Sequence, residues 1–480
     1  MTDSLKHKTI SGVVWSSIER FSVQGVQFLV LIVMARLLTP KDYGLVGMLA
    51  VFLAVSQSLI DSGFSQALIR KQNRTEVDNS TVFYFNIGVG FFLYIVLFFA
   101  APFISDFYDT PELTNITRVL SLSVVVNSLT VVQRALLTVK IDFKTQAKAS
   151  FLATLLSGVV GISMAYSGMG VWALVTQQLV NFGVNAIALS VIAKWRPVLS
   201  FSWKSFRELF SFGSKLLISG LLDTIYRNLY LIVIGKKFAV SDLGFYTRAQ
   251  HFAEFPSSNI TGVLQRVTYP VLCHLQDDNE RLATNYRKLL RISAFVIFPM
   301  MMGLAALAKP FVLVLLKDQW LFAAVLLQII CFSMMWYPIH AINLNLLQVK
   351  GRSDLFLRLE IWKKVIGVCV LCVTIPLGLK AMCYGSIVSS LIALFINTYY
   401  TGKLIKVGFV VQMKDLFPII CYSMTMGVLI SFVISYMSSP LLQLTVGCLV
   451  GFAYYLIITW VSKSKELFDL ISIIKHNDGK

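Results

Sequence analysis

The stretch LIVMARLLTPKDYG, Leu31 to Gly44, returns two hundred residues later as LIVIGKKFAVSDLG, Leu231 to Gly244. Leu31, Ile32, Val33, Asp42 and Gly44 meet identical residues, and Arg36 meets Lys236. Five identities in fourteen aligned positions compare with roughly one expected from average residue usage. Further echoes lie at slightly larger offsets. Ala101-Pro102-Phe103-Ile104 resembles Lys309-Pro310-Phe311-Val312, and Leu137-Thr138-Val139-Lys140 resembles Leu347-Gln348-Val349-Lys350. The drift from 200 to 208 to 210 fits one longer loop in the second copy. Each echo is an apolar run, a charged punctuation and another apolar run, which reads as two copies of a helical membrane unit.

Composition agrees. Of 480 residues, 56% are hydrophobic and 14% charged, and the mean hydropathy is +0.73. A soluble chain carries about 25% charged residues, so a globular enzyme is excluded. The net charge of +18 does not point to nucleic acid, because Lys and Arg accumulate in the cytoplasmic loops of membrane proteins. Met1 to Lys8 is polar and the first apolar run lacks a small-residue cleavage site, so no cleavable signal peptide is expected. The seven cysteines, including the Cys369/Cys372 pair, sit in or beside apolar runs and read as small core residues.

A helix needs about 20 apolar residues to cross the hydrocarbon. Runs between charged or Pro/Gly punctuation give fourteen spans: 10–36, 43–68, 80–104, 114–139, 146–167, 170–193, 208–235, 242–272, 285–308, 320–349, 355–378, 381–402, 416–437 and 440–461. The fourth, eighth and tenth read as the most polar, with Arg118, Arg134, Arg248, His251, Glu254, Arg266 and His340. The expected architecture is an all-α polytopic membrane protein. Residues 1–200 and 201–407 form two pseudo-symmetric six-helix lobes, 408–462 add two helices, and 463–480 is a tail.

The loops support the count. With the N-terminus inside, alternate connections hold Arg70/Lys71/Arg74, Lys140/Lys144/Lys148, Lys194/Arg196/Lys204/Arg207, Arg281/Arg287/Lys288/Arg291, Lys350/Arg352, Lys403/Lys406/Lys414 and Lys463/Lys465. The opposite connections are sparse, and one is acidic, with Asp106, Asp109 and Glu112. Both termini are therefore expected in the cytoplasm. Every connection is short, which leaves no room for a soluble domain.

Ionisable residues inside spans are costly and mark function by default. They concentrate in the first two spans of each copy: Glu19, Arg20, Gln24 and Gln27; Gln57 and Asp61; Lys215, Asp223 and Arg227; Arg248, His251, Glu254 and Arg266. Lys215, Ser219, Asp223 and Arg227 are spaced by four and form one helical stripe. Gln27 is the 200-offset partner of Arg227. Arg248 and Arg266 lie eighteen residues apart, five whole turns, with Asn259 near the same line and Pro256 as an expected kink. One reading is a water-filled cavity between the copies whose wall of Arg20, Arg227, Arg248 and Arg266, with Gln27 and Asn259, binds an anion. The other is that Asp223–Arg227 is an internal ion pair and that Glu19, Arg20 and Arg266 satisfy neighbouring helices or headgroups. Glu19, Asp61, Asp223 and Glu254 are candidates for H⁺ or Na⁺ coupling or for ion pairing. His251 and His340 read as hydrogen-bonded packing residues. Walker A, HExxH and His/Cys metal spacings are absent from the sequence, so no cofactor, metal or ATP-driven step is expected.

LLTPKDYGLVGMLAVF followed by DSGFSQALIRKQN resembles the start of the polysaccharide transporter family of the MOP flippase superfamily. The similarity is to its WzxC-like branch of lipopolysaccharide and exopolysaccharide exporters. It continues through STVFYFNIGVG, IDFKTQAKASF, GVWALVTQQLV, FSFGSKLLISGLLD and LGFYTRAQHFAEFPSSNITGVLQRVTYPVL, from about Ile10 to Lys364. The resemblance implies a fold like that of multidrug exporters and lipid II flippases, and alternating-access flipping of an undecaprenyl-pyrophosphate-linked oligosaccharide across a bacterial inner membrane. It implies the lipid-linked substrate and membrane lipids as partners, beside polysaccharide polymerase and glycosyltransferase machinery. In related lipid II flippases, arginines of the first, second and eighth helices line the cavity, and Arg20 and Arg248 are the counterparts by position. The second helix departs from that pattern, with Asp61 and no arginine before Arg70. A multidrug exporter of the same superfamily is the rival. An excess of Arg over Asp and Glu in the expected cavity favours an anionic substrate. A membrane polymerase or ligase fits less well with the internal repeat and the short loops.

Overall fold

The computed structural model describes residues 23–61 and 63–468, apart from the side chains of residues 212, 215, 216, 263, 266 and 267. Every regular element among them is helical. The chain groups into two compact units, up to Gly244 and from Phe245 onward. The first unit contains α1 (Val23–Leu37), α2 (Pro40–Asp61), α3 (Phe64–Arg70), α4 (Glu76–Phe107) and α5 (Leu113–Leu120). It continues with α6 (Leu122–Ser128), α7 (Val131–Val139), α8 (Phe143–Tyr166), α9 (Val171–Ile192), α10 (Trp203–Arg227), α11 (Leu229–Lys237) and the first turn of α12 (Val240–His274). The second contains the rest of α12, then α13 (Asn279–Ala306), α14 (Ala308–Leu316), α15 (Leu321–Met334) and α16 (Tyr337–Val349). It ends with α17 (Ser353–Thr374), α18 (Leu379–Ile405), α19 (Phe409–Ser435) and α20 (Pro440–Val461).

In the first unit α8 runs along α9, while α10 and α11 lie against α2. Phe64 is fully buried and meets the rings of Phe85, Phe206 and Phe210 at 5.1, 6.0 and 6.1 Å, which joins α3 to α4 and α10. The segment before α10 is stitched to the start of α4. Trp195 Nε1 donates to Glu76 at 2.7 Å, and the amides of Val198 and Ser202 donate to Ser80 Oγ and Thr81 Oγ1 at 2.9 and 3.0 Å. In the second unit α13 packs on α19, and Arg287 forks onto Asp415 with two bonds of 2.6 Å. The two added C-terminal helices are thus fastened to the helical bundle through α13.

The repeated stretch has a structural reason. The carboxylates of Asp42 and Asp242 each accept from the backbone N–H three residues earlier, Thr39 at 2.8 Å and Ala239 at 3.3 Å, and so set the starts of α2 and α12. The glycines two residues on are also required. A Cβ on Gly44 would stand 1.9 Å from the Val240 carbonyl oxygen, and one on Gly244 would stand 1.9 Å from that of Pro40. The two helix starts cross backbone to backbone, reciprocally, within the first unit. The later drift of the repeat is visible in residues with left-handed backbone. Asp109 pairs with Lys317 at an offset of 208, Ile141 with Gly351 at 210, Gly168 with Gly378 at 210, and Lys194 with Lys406 at 212.

Eleven helices or helix runs among the described residues are long and apolar enough to cross a membrane, against fourteen expected. Val23–Leu37 is too short in its described part. α17 carries Arg358, Glu360, Lys363 and Lys364 within one span and is too rich in charge, whereas α12, with Ser257, Ser258, Asn259, Gln265 and Arg266 among its apolar residues, is too weakly apolar. Among the spans expected to be most polar, the eighth is so, but the fourth and tenth qualify as membrane spans. Their polar residues are dilute in long apolar runs. The fourth is segmented into α5, α6 and α7, and the tenth into α15 and α16.

Candidate transport site and intramembrane polar clusters

α10 starts at the Ser202 cap, whose Oγ accepts from the Ser205 amide at 3.3 Å, and runs to Arg227. Near its end Arg227 Nε donates to Asp223 Oδ2 at 2.7 Å across one turn, so the two side chains expected on one stripe do pair. Their side chains are 73% and 41% exposed although they lie in an apolar membrane-length segment, Leu217–Lys237. Gln27 is exposed on α1, and Asp61 is exposed as the last residue of α2. Gln57, one turn before Asp61, accepts a hydrogen bond from the Asn127 amide of α6. Glu19, Arg20 and the side chains of Lys215 and Arg266 lie outside the described residues.

In the second unit α12 is one helix through Pro256 and Pro270. Pro256 removes the N–H that would bond to the Phe252 carbonyl. Close to that gap Asn259 Nδ2 donates to the Phe255 carbonyl at 2.8 Å, and Ser257 Oγ to the Met334 carbonyl at 2.7 Å. Arg248 is half-buried, Glu254 and His251 are exposed, and Asn259 is half-buried. Arg248 and Asn259, eleven residues apart, share a helix face.

Two further polar clusters involve the fourth and tenth spans, where Arg118, Arg134 and His340 gain neutral partners that carry no charge signal in the sequence. Arg118 stands 4.7 Å from the centroid of the Phe98 ring, and Arg134 Nη2 donates to Asn185 Oδ1 at 3.1 Å. The larger cluster is in the second unit. The buried Asn343 of α16 donates to Gln412 of α19 at 3.1 Å, while its Oδ1 accepts from Gln412 Nε2 at 3.1 Å and Thr401 Oγ1 at 2.8 Å. Next to it His340 has Ser390 Oγ at 2.9 Å from Nε2 and Asn397 Nδ2 at 3.2 Å from Nδ1. His340 is thus hydrogen-bonded within the bundle, as its sequence reading expected. The signal available in the sequence was the Asn397/Thr401 pair four residues apart in an apolar span.

The arrangement holds no metal-binding cluster of His, Cys, Asp or Glu among the described residues. It has exposed charges on helices of membrane length and interlocked neutral polar groups inside a helical bundle. A family model described as "Polysaccharide biosynthesis protein" matches residues 33–325. The chain belongs to this family. Its relatives include the lipopolysaccharide biosynthesis protein WzxC of Escherichia coli, 25% identical over 75% of this chain and 74% of that protein. The teichuronic acid biosynthesis protein TuaB of Bacillus subtilis is 24% identical over 73% of each chain. The succinoglycan biosynthesis transport protein ExoT of Rhizobium meliloti is 27% identical over 69% of this chain and 68% of that one. In fold, the chain is similar to the lipid II flippase MurJ in an inward closed conformation. The TM-score is 0.79 at 13% identity, over 95% of this chain and 100% of that one. An inward-facing multidrug resistance MATE transporter of the MOP superfamily gives 0.63 at 17% identity, over 82% and 99%. This family member is therefore a multi-pass helical membrane protein with the fold of MOP-superfamily transporters, and the polysaccharide-transporter resemblance holds.

Proposed function

We propose that this chain flips an undecaprenyl-pyrophosphate-linked oligosaccharide across a bacterial inner membrane by alternating access, with both termini in the cytoplasm. The carrying observation is the Asp223–Arg227 pair, exposed on an apolar segment of membrane length. Ions facing hydrocarbon are costly, so such a pair faces water or substrate. The pyrophosphate and sugars would lose their hydration in lipid, and a polar transporter interior replaces it while the isoprenoid tail stays in the bilayer. The anionic head group binds the basic set Arg20, Arg227, Arg248 and Arg266, with Gln27 and Asn259 as neutral partners. Glu19, Asp61, Asp223 and Glu254 are the acidic groups available for H⁺ or Na⁺ coupling, and the polymerase and glycosyltransferases of the same polysaccharide supply and consume the substrate.

The test is gene deletion, followed by mass spectrometry of undecaprenyl-linked oligosaccharides and lectin access from each side. A complete repeat unit trapped on the cytoplasmic leaflet, restored by the wild-type chain, is the expected result. Arg227→Ala and Arg248→Ala are expected to cut restoration at least about tenfold, the loss of one charge-assisted bond. Normal appearance of complete units on the outer leaflet after deletion, with altered drug susceptibility instead, would replace this reading with a multidrug exporter.

A further inference from the structure

The sixth helix of each copy carries an asparagine that faces a basic side chain on the fourth. Asn185 of α9 lies nine residues before the left-handed Lys194, and Asn397 of α18 lies nine residues before the left-handed Lys406. In the first copy Asn185 Oδ1 accepts from Arg134, a permanent cation. In the second copy Asn397 meets His340, one helical turn out of register with Arg134. The cation has been exchanged for a ring that takes or releases a proton.

The local bonding fits both charge states. Asn397 Nδ2 donates to His340 Nδ1, which leaves Nε2–H to donate to Ser390 Oγ, and the neutral imidazole is then fully satisfied. Asn397 is 2% exposed, and its Oδ1 has no hydrogen-bond partner among the described residues. A buried, unused acceptor is costly. Rotation of the amide would present that oxygen to a protonated Nδ1–H and reproduce the carboxamide–cation contact of the first copy. From α17, Lys363 is the charged side chain whose field reaches the ring; its positive charge opposes a proton there, and its pairing with Glu360 offsets part of that field. α18 presents the neutral Ser390 and Asn397. α13 contributes the buried Tyr286 hydroxyl beside Thr401 and Gln412. No carboxylate is bonded to the ring among the described residues; its bonded partners are the neutral dipoles of Ser390 and Asn397. From Asn397 the bonding continues towards the Lys350 end of α16. Thr401 Oγ1 bonds to both the Asn397 carbonyl and Asn343 Oδ1, which also accepts from Gln412.

We propose that His340 is a proton-binding site of the second unit, that the Asn397 amide reverses when the ring is charged, and that this couples transport to a proton gradient. The coupling rests on the transporter reading above, whereas the proton site is measurable without any substrate. The first experiment is ¹⁵N NMR of histidine-labelled full-length protein in lipid nanodiscs, with the His340 ring identified by its loss in His340→Gln. The ring is expected as the Nε2–H tautomer at high pH and to become doubly protonated within about pH 4–8. Asn397→Asp is expected to raise the midpoint by about one unit or more, because a carboxylate stabilises the charged ring. A wild-type ring that stays neutral over that whole range overturns the site, even if the ring titrates in Asn397→Asp.

The second experiment measures restoration of surface polysaccharide in deletion cells. Gln at 340 keeps a donor and an acceptor but takes up no proton. His340→Gln is expected to restore at least about tenfold less than wild type when expressed and folded equally. Full restoration by His340→Gln overturns the coupling, even if the ring titrates. If deletion leaves the surface polysaccharide unchanged, the export reading falls and the coupling falls with it, while the NMR titration still decides the site.

Discussion

The two copies of the repeat share their corners and differ in their interiors. The helix starts at Asp42 and Asp242 are set by the same carboxylate contact, and four pairs of left-handed residues keep step from Asp109/Lys317 to Lys194/Lys406. Inside, equivalent places hold different chemistry. Gln133 and Asn343 correspond at an offset of 210, yet Gln133 Oε1 is unpartnered among the described residues while Asn343 bonds to Thr401 and Gln412. Glu112 and Trp320 correspond at 208: one is an exposed partner of Lys41, the other a fully buried indole. Corners are constrained by backbone geometry, which any copy must satisfy. Interiors are constrained only by mutual satisfaction, which many sets of side chains achieve.

Substitutions in matched pairs test this division. Trp320→Ala removes a buried ring packed against Phe245 at 6.0 Å and is expected to cost about 3–5 kcal/mol. Glu112→Ala, at the matching place, is expected to stay within about 0.5 kcal/mol. Thermal and denaturant unfolding of the detergent-solubilised protein would separate these, and equal losses would contradict the divergence of interiors. At the corners the prediction is equality. Gly44→Ala and Gly244→Ala each force a methyl onto a backbone oxygen and are expected to lose about 3 kcal/mol. The double variant should lose less than the sum, because both break one crossing. Strict additivity would show two independent contacts.

Asn343→Leu leaves the buried Gln412 Oε1 without its donor, although Nε2 keeps the Val407 carbonyl, and is expected to cost about 2–3 kcal/mol. Gln133→Leu removes a group already under-bonded and is expected to cost under about 1 kcal/mol. As small as the effect of Glu112→Ala is that expected of Lys41→Ala, which breaks the same bond between two half-exposed side chains. A loss within about 0.5 kcal/mol is expected, and a larger one would make that corner more than a backbone feature.

Much of the fold was legible in the sequence. The 200-residue echo, its drift and the charge alternation carried the helical membrane class, because they record backbone corners and membrane insertion. The segmentation of the fourth span into α5, α6 and α7 was not legible, since its breaks at Ser121 and Leu129–Thr130 use ordinary residues in helical or near-helical backbone. Arg118 and Arg134 read as intramembrane charges but are accommodated by a ring face and an amide. At the candidate site the Asp223–Arg227 pairing followed from spacing alone. The Asn343–Thr401–Gln412 cluster did not, because neutral amides and hydroxyls carry no charge signal and their partners lie 58 and 69 residues away along the chain. Arg287 read as one more cytoplasmic loop cation, whereas it is the anchor of α19 through Asp415.

The reciprocal crossing of Gly44 with Val240 and Gly244 with Pro40 has an ancestral meaning. Each half contributes the same two elements, a glycine and the carbonyl four residues before it, which is how identical subunits meet across a two-fold axis. A half-length forebear with that stretch could dimerise through the same contact, and every mutation in it would have struck both sides together. Two halves in one chain are free of that lockstep. Arg134 and, one turn out of register, His340 show the two interiors differing, an asymmetry that two identical subunits would not have.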